Sequence, residues 1–274
     1  MSDPRVTGTE RPFRFGVVAP VRTGLPEWRE QVRRIAGSGY STVLMPDVQQ
    51  WQPAPGPTLA VAATITDLRV GTWVYASPLR PPRTLAWEAH SLSLLTEGRF
   101  EMGIGTGRPS LADELREFGQ PVPSDRVAQL REAVATLREL DGPERHTPVA
   151  MAVRGARARA VALELADTIT FPASPDDSRA TLLRLAAEVR AARDVELALH
   201  VPVVGDTVAA FMAPPGTDPA ALRTVDSLLV LPGDPSAAVE ELLRRREEGG
   251  FSYVVVGASA AGVLAPVVAD LAGR

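Results

Sequence analysis

Eight times along this chain a short stretch rich in apolar residues gives way to a longer segment of helical character. The strand-like stretches fall at residues 13–18, 41–45, 68–75, 99–104, 149–153, 168–171, 195–201 and 253–256. The helical ones fall at 26–36, 58–66, 84–96, 124–140, 156–166, 175–192, 233–248 and 262–272. Residues 43–45 and 254–256 are apolar on both faces, as parallel strands covered by helices must be. Strict alternation of this kind builds βα units around a parallel sheet. Eight units in a chain of 274 residues predict a (β/α)8 TIM barrel of the α/β class, folded as a single domain over residues 13–274. An open doubly wound sheet is the alternative topology.

Composition narrows the chemistry. Apolar residues make up 45% and charged residues 23%, enough for a large core. The net charge of −4 argues against a nucleic-acid partner. With no cysteine and three histidines, disulfides, a thiol nucleophile and a clustered metal site are not expected. Residues 1–12 read as a flexible polar tail without the apolar segment of a signal peptide. No apolar run is long enough to span a bilayer, so no membrane partner is expected and the chain reads as cytoplasmic.

In such a barrel the ligand site forms where the strands end. That rule selects Asp47, Val74, Gly105 to Arg108, Arg154 and Gly155, and the segments around 171–174, 201–205 and 257–259. Gly103, Gly105 and Gly107 let a backbone come close to a flat ligand, or else serve a tight turn with no ligand. They are not a dinucleotide fingerprint, because Arg108 and Pro109 follow where a helix should open. Arg154, Gly155, Ala156 and Arg157 stand at a helix start, where free N–H groups and the helix dipole suit a phosphate. The plainer reading is a helix start that carries arginines.

His200 lies late in a strand and is a candidate acid or base if it points inward, or a satisfied core histidine. Gln49 and Trp51 line a substrate pocket after the second strand, or simply pack the loop. Asp47 after Pro46 suits a turn cap, and 244–248 reads as a solvated charged face.

Several pieces then agree in order and spacing. They are 14–17, Gly39 and Tyr40 leading to Pro46 and Asp47, 68–72, 94–100, 103–107, 163–167, 244–247, 251–254 and the ending 265–274. Together they make the chain resemble the bacterial luciferase-like oxidoreductases, and within them the actinobacterial subgroup associated with coenzyme F420. The resemblance implies F420, with FMN as the alternative, bound at the barrel mouth of a homodimer. It implies hydride transfer between the deazaflavin and a small organic substrate. An FMN-dependent monooxygenase and a non-catalytic flavin- or ligand-binding barrel are the alternatives.

The resemblance also assigns residues. Asp47 would sit near the ring, with Val48 where relatives carry a proton-transferring histidine. Trp73 and Val74 would form a bulge with a non-prolyl cis peptide behind the ring, or lie in an ordinary strand. Gly105, Thr106, Gly107 and Arg108 would contact the ring edge or tail, Arg108 replacing an acid or aromatic residue; a solvated arginine is its other reading. Arg154 to Arg157 would hold the cofactor phosphate.

Overall fold

The computed structural model describes residues 11–108 and 110–274. The expected tail therefore lies almost wholly outside the described residues. The first half runs β1 (Arg14–Val18), α1 (Leu25–Gly37), β2 (Thr42–Met45), α2 (Pro55–Ala63), β3 (Arg69–Thr72) and β4 (Tyr75–Ala76). Then come α3 (Pro82–Leu95), β5 (Phe100–Gly105), α4 (Leu111–Glu117) and α5 (Arg126–Asp141). The second half runs β6 (Val149–Ala152), α6 (Ala156–Leu165), β7 (Thr168–Thr170), α7 (Arg179–Ala192) and β8 (Glu196–Val201). It ends with β9 (Val203–Val204), β10 (Thr207–Val208), α8 (Pro219–Thr224), β11 (Val230–Leu231), α9 (Pro235–Gly249), β12 (Phe251–Gly257) and α10 (Ala261–Leu271).

The large sheet has the order β3-β2-β1-β12-β8-β7-β6-β5-β4, and β3 also pairs with β5. That last pairing closes the ring. All its pairings are parallel, and β3 and β4 are two halves of one stave, giving a closed eight-stranded barrel. The third stave breaks at the Trp73–Val74 peptide bond, which is cis, as the resemblance implied, and is not the ordinary continuous strand of the other reading.

Three expectations shift. α2 begins at Pro55, not at residue 58, because prolines are tolerated in a first helical turn. α7 begins at Arg179, not at residue 175, because Ser178 caps it, its side chain accepting from Thr181 N. The irregular stretch after β8 holds a small sheet, β10-β9-β11, and the short α8.

Each strand sends alternate residues to opposite faces. Phe15 and Val17, Phe100, Met102 and Ile104, and Val254 and Val256 face the helices in the main core. Their neighbours face the barrel interior, where Val18, Leu44, Ala198, Tyr253 and Val255 form a second cluster.

At the end of the barrel where the strands begin, that interior is polar. Arg14 donates to Glu101 at 2.8 Å and to both Glu196 oxygens at 2.8 and 2.6 Å. Its guanidinium stacks 3.4 Å from the Tyr253 ring centroid. Tyr253 donates to Glu101 at 2.7 Å and Thr168 to Glu196 at 2.6 Å. Two glycines leave room for these groups. A methyl on Gly16 would meet Tyr253 Oη at 2.7 Å, and one on Gly71 would meet Glu101 Cγ at 2.6 Å.

The charged run 244–248 is not simply a solvated face. Arg245 is 1% exposed and donates to Glu241 and to the carbonyls of Leu228 and Val230. A helix periodicity alone gives no sign that one arginine of three turns inward.

Candidate functional site at the barrel rim

The strands finish at one rim, and most of the residues selected from the sequence are there. Asp47 follows β2 and is 8% exposed. Its carboxylate takes two bonds from Arg80, at 2.7 and 3.0 Å, and one from the backbone N–H of Ala76, at 3.1 Å. Asp47 thereby ties the end of β2 to β4, just past the strand break. Burial disfavours the Arg80 charge, but Asp47 outweighs it and the guanidinium pKa rises. Tyr75 completes this group: its hydroxyl donates to Glu88 at 2.6 Å, and Arg80 stands 4.9 Å above its ring. Arg80 escaped the sequence reading, although its loop directly follows a rim strand.

The glycines in and just after β5 divide by role. A methyl on Gly103 would lie 1.9 Å from the Thr72 carbonyl, so this glycine serves the packing of β5 against β3. Gly107 has φ of +77° and lies under Leu111, so it serves the turn. Gly105 is nearest the rim, with Val74 Cγ2 at 3.2 Å from where its methyl would be. Half-exposed Val74 lies over the buried Gly105, beside the half-exposed Thr106.

Trp73 and His200 meet. The indole N–H donates to His200 Nδ1 at 3.1 Å, and His200 Nε2 donates to the Met212 carbonyl at 2.9 Å. Burial lowers the imidazole pKa, partly opposed by the Met212 bond. Both ring nitrogens are thus engaged by the protein itself. The other two histidines bond carboxylates: His90 with Asp141 and His146 with Asp167, each at 2.8 Å.

Arg108 is held by Glu114 through two bonds, at 2.7 and 2.6 Å. Gln50 donates to the same carboxylate at 2.8 Å, so α4 is stitched to the loop after β2. In that loop Gln49 is exposed, and Trp51 is 42% exposed with Arg22 5.2 Å over its ring.

α6 begins one strand over, beside β5. Residues 154–157 are all exposed, and no side chain caps the helix. A methyl on Gly155 would meet nothing within 4 Å, so the backbone there is open to a ligand. Arg154 makes a two-bond pair with Asp177, and Arg157 pairs with Asp125, which also caps α5. The Arg154 bond is the main reason the Asp177 carboxyl is held down at about 2. Among the described residues there is no cluster of three or more potential metal ligands, and no helix is long and apolar enough to cross a membrane.

The sequence profile of the luciferase-like monooxygenase family matches residues 13–245. The chain belongs to this family. Solved luciferase-like structures share the fold at low identity. The coenzyme F420-dependent tetrahydromethanopterin reductase of Methanopyrus kandleri is 16% identical, with TM-score 0.71, covering 94% of this chain and 97% of its own. An F420-dependent secondary alcohol dehydrogenase, solved with an F420-acetone adduct, is 17% identical with TM-score 0.68, covering 93% and 99%. The EDTA monooxygenase of Chelativorans sp. BNC1 is 15% identical with TM-score 0.67, covering 95% and 94%. Among curated proteins none matches the chain in sequence. Luciferase-like proteins are oxidoreductases and monooxygenases, and the free N–H groups and arginines at the open start of α6 are donors of the kind an anionic group takes.

Proposed function

We propose that this luciferase-like protein is a coenzyme F420-dependent oxidoreductase acting on a small organic substrate. The observation that carries the reading is the start of α6: uncapped, solvent-open, with Arg154 and Arg157 beside it, Gly105 on the neighbouring strand and half-exposed Val74 beyond it. Exposed helix N–H groups and arginine forks are donors matched to a phosphate. When bound, the deazaflavin supplies a hydride at a ring carbon. The protein's part is to hold and orient it. Val74, Gly105 and Thr106 would face the ring, with Trp73 behind it. Asp47 and Arg80 would keep the strand break in place, and Gln49 and Trp51 would line the substrate side.

Titration of the purified protein with F420 and, separately, with FMN tests this, following ligand fluorescence. Saturable quenching of F420 with none for FMN is the expected result. The reverse would make the protein an FMN-dependent monooxygenase of the same fold. Binding of either without turnover across a substrate panel would leave a ligand-binding barrel.

A homodimer completes the proposal. Trp87 is 65% exposed and Leu95 74% exposed on α3, beside an open, largely apolar groove that α3 forms with α2. In a two-fold pairing, the Trp87 of one copy would fill the groove of the other, as an isologous interface requires. Trp87→Glu is therefore expected to weaken self-association by about 30-fold or more, as loss of a central aromatic anchor does. Light scattering coupled to size exclusion would read it; an unchanged mass across a dilution series would remove this face as the interface.

A further inference from the structure

Part of the rim is covered by the chain itself. Residues 209–213 leave the small sheet and cross the barrel mouth above β8, β12 and β1. Ala209 N donates to the Pro202 carbonyl at 2.8 Å, and Met212 N and Ala213 N both donate back to Ala209 O, at 2.8 and 3.1 Å. The segment rests on Gly257, where a methyl would meet Ala209 Cβ at 2.3 Å, Met212 Sδ at 3.1 Å and Phe211 Cζ at 3.3 Å. Phe211, Met212 and Trp73 pack onto Val18, Leu44, Tyr253 and Val255 of the barrel interior while staying half exposed above it.

We infer that this segment is the apolar wall that sets substrate specificity at the rim, and that His200 is the positioning residue that locks it to Trp73. The wall carries no charged or hydrogen-bonding side chain: residues 209–213 read Ala-Ala-Phe-Met-Ala. It therefore accepts an uncharged, apolar part of a substrate and disfavours a charged one, which would lose its hydration there without a partner.

The lock follows from the donor inventory. An indole N–H only donates, so His200 Nδ1 must be bare. A carbonyl only accepts, so Nε2 must carry the proton. The neutral Nε2–H tautomer satisfies both partners. One imidazole thus bridges the strand break in the third stave and the far end of the wall. Neither bond depends on which cofactor the rim takes, so the inference stands or falls separately from the F420 reading.

Amide hydrogen exchange and nitrogen-15 NMR on the ligand-free chain test it. In His200→Leu, peptides covering 209–213 are expected to exchange about tenfold faster or more, while β5 and β6 keep their protection. The Trp73 indole resonance, assigned through Trp73→Phe, is expected to move upfield as its acceptor is lost. His200→Gln, whose amide both accepts and donates, is expected to restore both signals. If His200→Leu does not fold, Trp73→Phe, which removes the indole donor and keeps an aromatic ring in its place, is expected to loosen 209–213 more than any other segment. For the wall, cyclohexanone as a neutral probe should shift the Met212 methyl signal saturably, and acetate should not. Exchange at 209–213 unchanged in His200→Leu would overturn the lock. So would exchange raised equally across the barrel, or no rescue by His200→Gln. A Met212 signal blind to cyclohexanone up to its solubility would overturn the wall.

Discussion

Glu241→Gln is expected to lower the unfolding free energy by about 3–5 kcal/mol, the usual cost of stranding one member of a buried ion pair. The stranded member is Arg245, 1% exposed and enclosed between α9 and the segment that ends in β11. Its guanidinium donates to Glu241 at 2.5 Å and to the carbonyls of Leu228 at 2.8 Å and Val230 at 2.5 Å. The carbonyls supply partial charge only; Glu241 is the sole full charge bonded to Arg245 among the described residues. Burial pushes the Arg245 pKa down to about 10 in spite of Glu241. The same carboxylate takes Arg179 at 2.9 Å and Arg244 at 2.7 Å, but these two keep Glu248 and Asp226 as partners, so its loss strands Arg245 alone.

Acid should reproduce the effect. Burial works against the Glu241 charge, but Arg245, Arg179 and Arg244 outweigh it and hold the carboxyl at about 2. That is below the ordinary unfolded value of about 4.3. A carboxyl depressed on folding stabilises fully above its unfolded pKa and loses that contribution as pH falls toward the folded one. The gap between wild type and Glu241→Gln is thus expected to be full at pH 7 and to shrink between about pH 4.3 and 2. Urea unfolding at several pH values reads this directly. Glu241→Gln combined with Arg245→Met should recover most of the loss, because no charge is then left buried. A single variant as stable as wild type would show that the backbone carbonyls of Leu228 and Val230 suffice.

The second large effect concerns binding. Arg154→Ala with Arg157→Ala is expected to weaken cofactor binding by about a hundredfold, since each charge-assisted bond lost is worth roughly a factor of ten or more. The substitution acts twice. It removes two cations and also bares Asp177 and Asp125, whose carboxylates would then face an incoming phosphate. Asp177 remains ionised down to about pH 2, so acid does not release Arg154 at working pH. An anion must compete for it. Folding should survive: the exposed Arg157–Asp125 pair contributes little, and Asp177, 9% exposed, keeps its bond from Ser174 N when Arg154 is lost, so that pair costs somewhat more. Fluorescence titration beside a urea melt separates the two effects. Equal affinity in the double variant, with the fold intact, would rule out a phosphate at α6.

How far the sequence carries can be judged from particular residues. The barrel was legible because helical and strand periods alternate without interruption, and a rim follows from any such barrel. The break at Trp73 and Val74 came from family resemblance, since nothing in a run such as Arg69-Val70-Gly71-Thr72 announces it locally. What stayed hidden were the partners. Arg80 for Asp47, Asp177 for Arg154 and Glu114 for Arg108 are long-range or loop-borne pairings with no periodic trace. His200 illustrates the same point. Its place in β8 was readable, but its fate depends on Met212, twelve residues on in an irregular loop, and on Trp73, far back in the chain. Phe211 and Met212 were passed over because an apolar pair within a proline-interrupted stretch looks like ordinary loop packing.

The ionic knot of Arg14, Glu101, Glu196 and Tyr253 has a consequence for traffic. It stoppers the barrel where the strands begin, with its charged groups already spoken for, so nothing can thread through the molecule. Whatever reaches the rim must depart by the opening it came in, and with 209–213 spanning one side, that opening lies over β4, β5 and β6. A reactant and its product bound at that rim would then take turns in one passage, so a product that lingers there would exclude the next reactant.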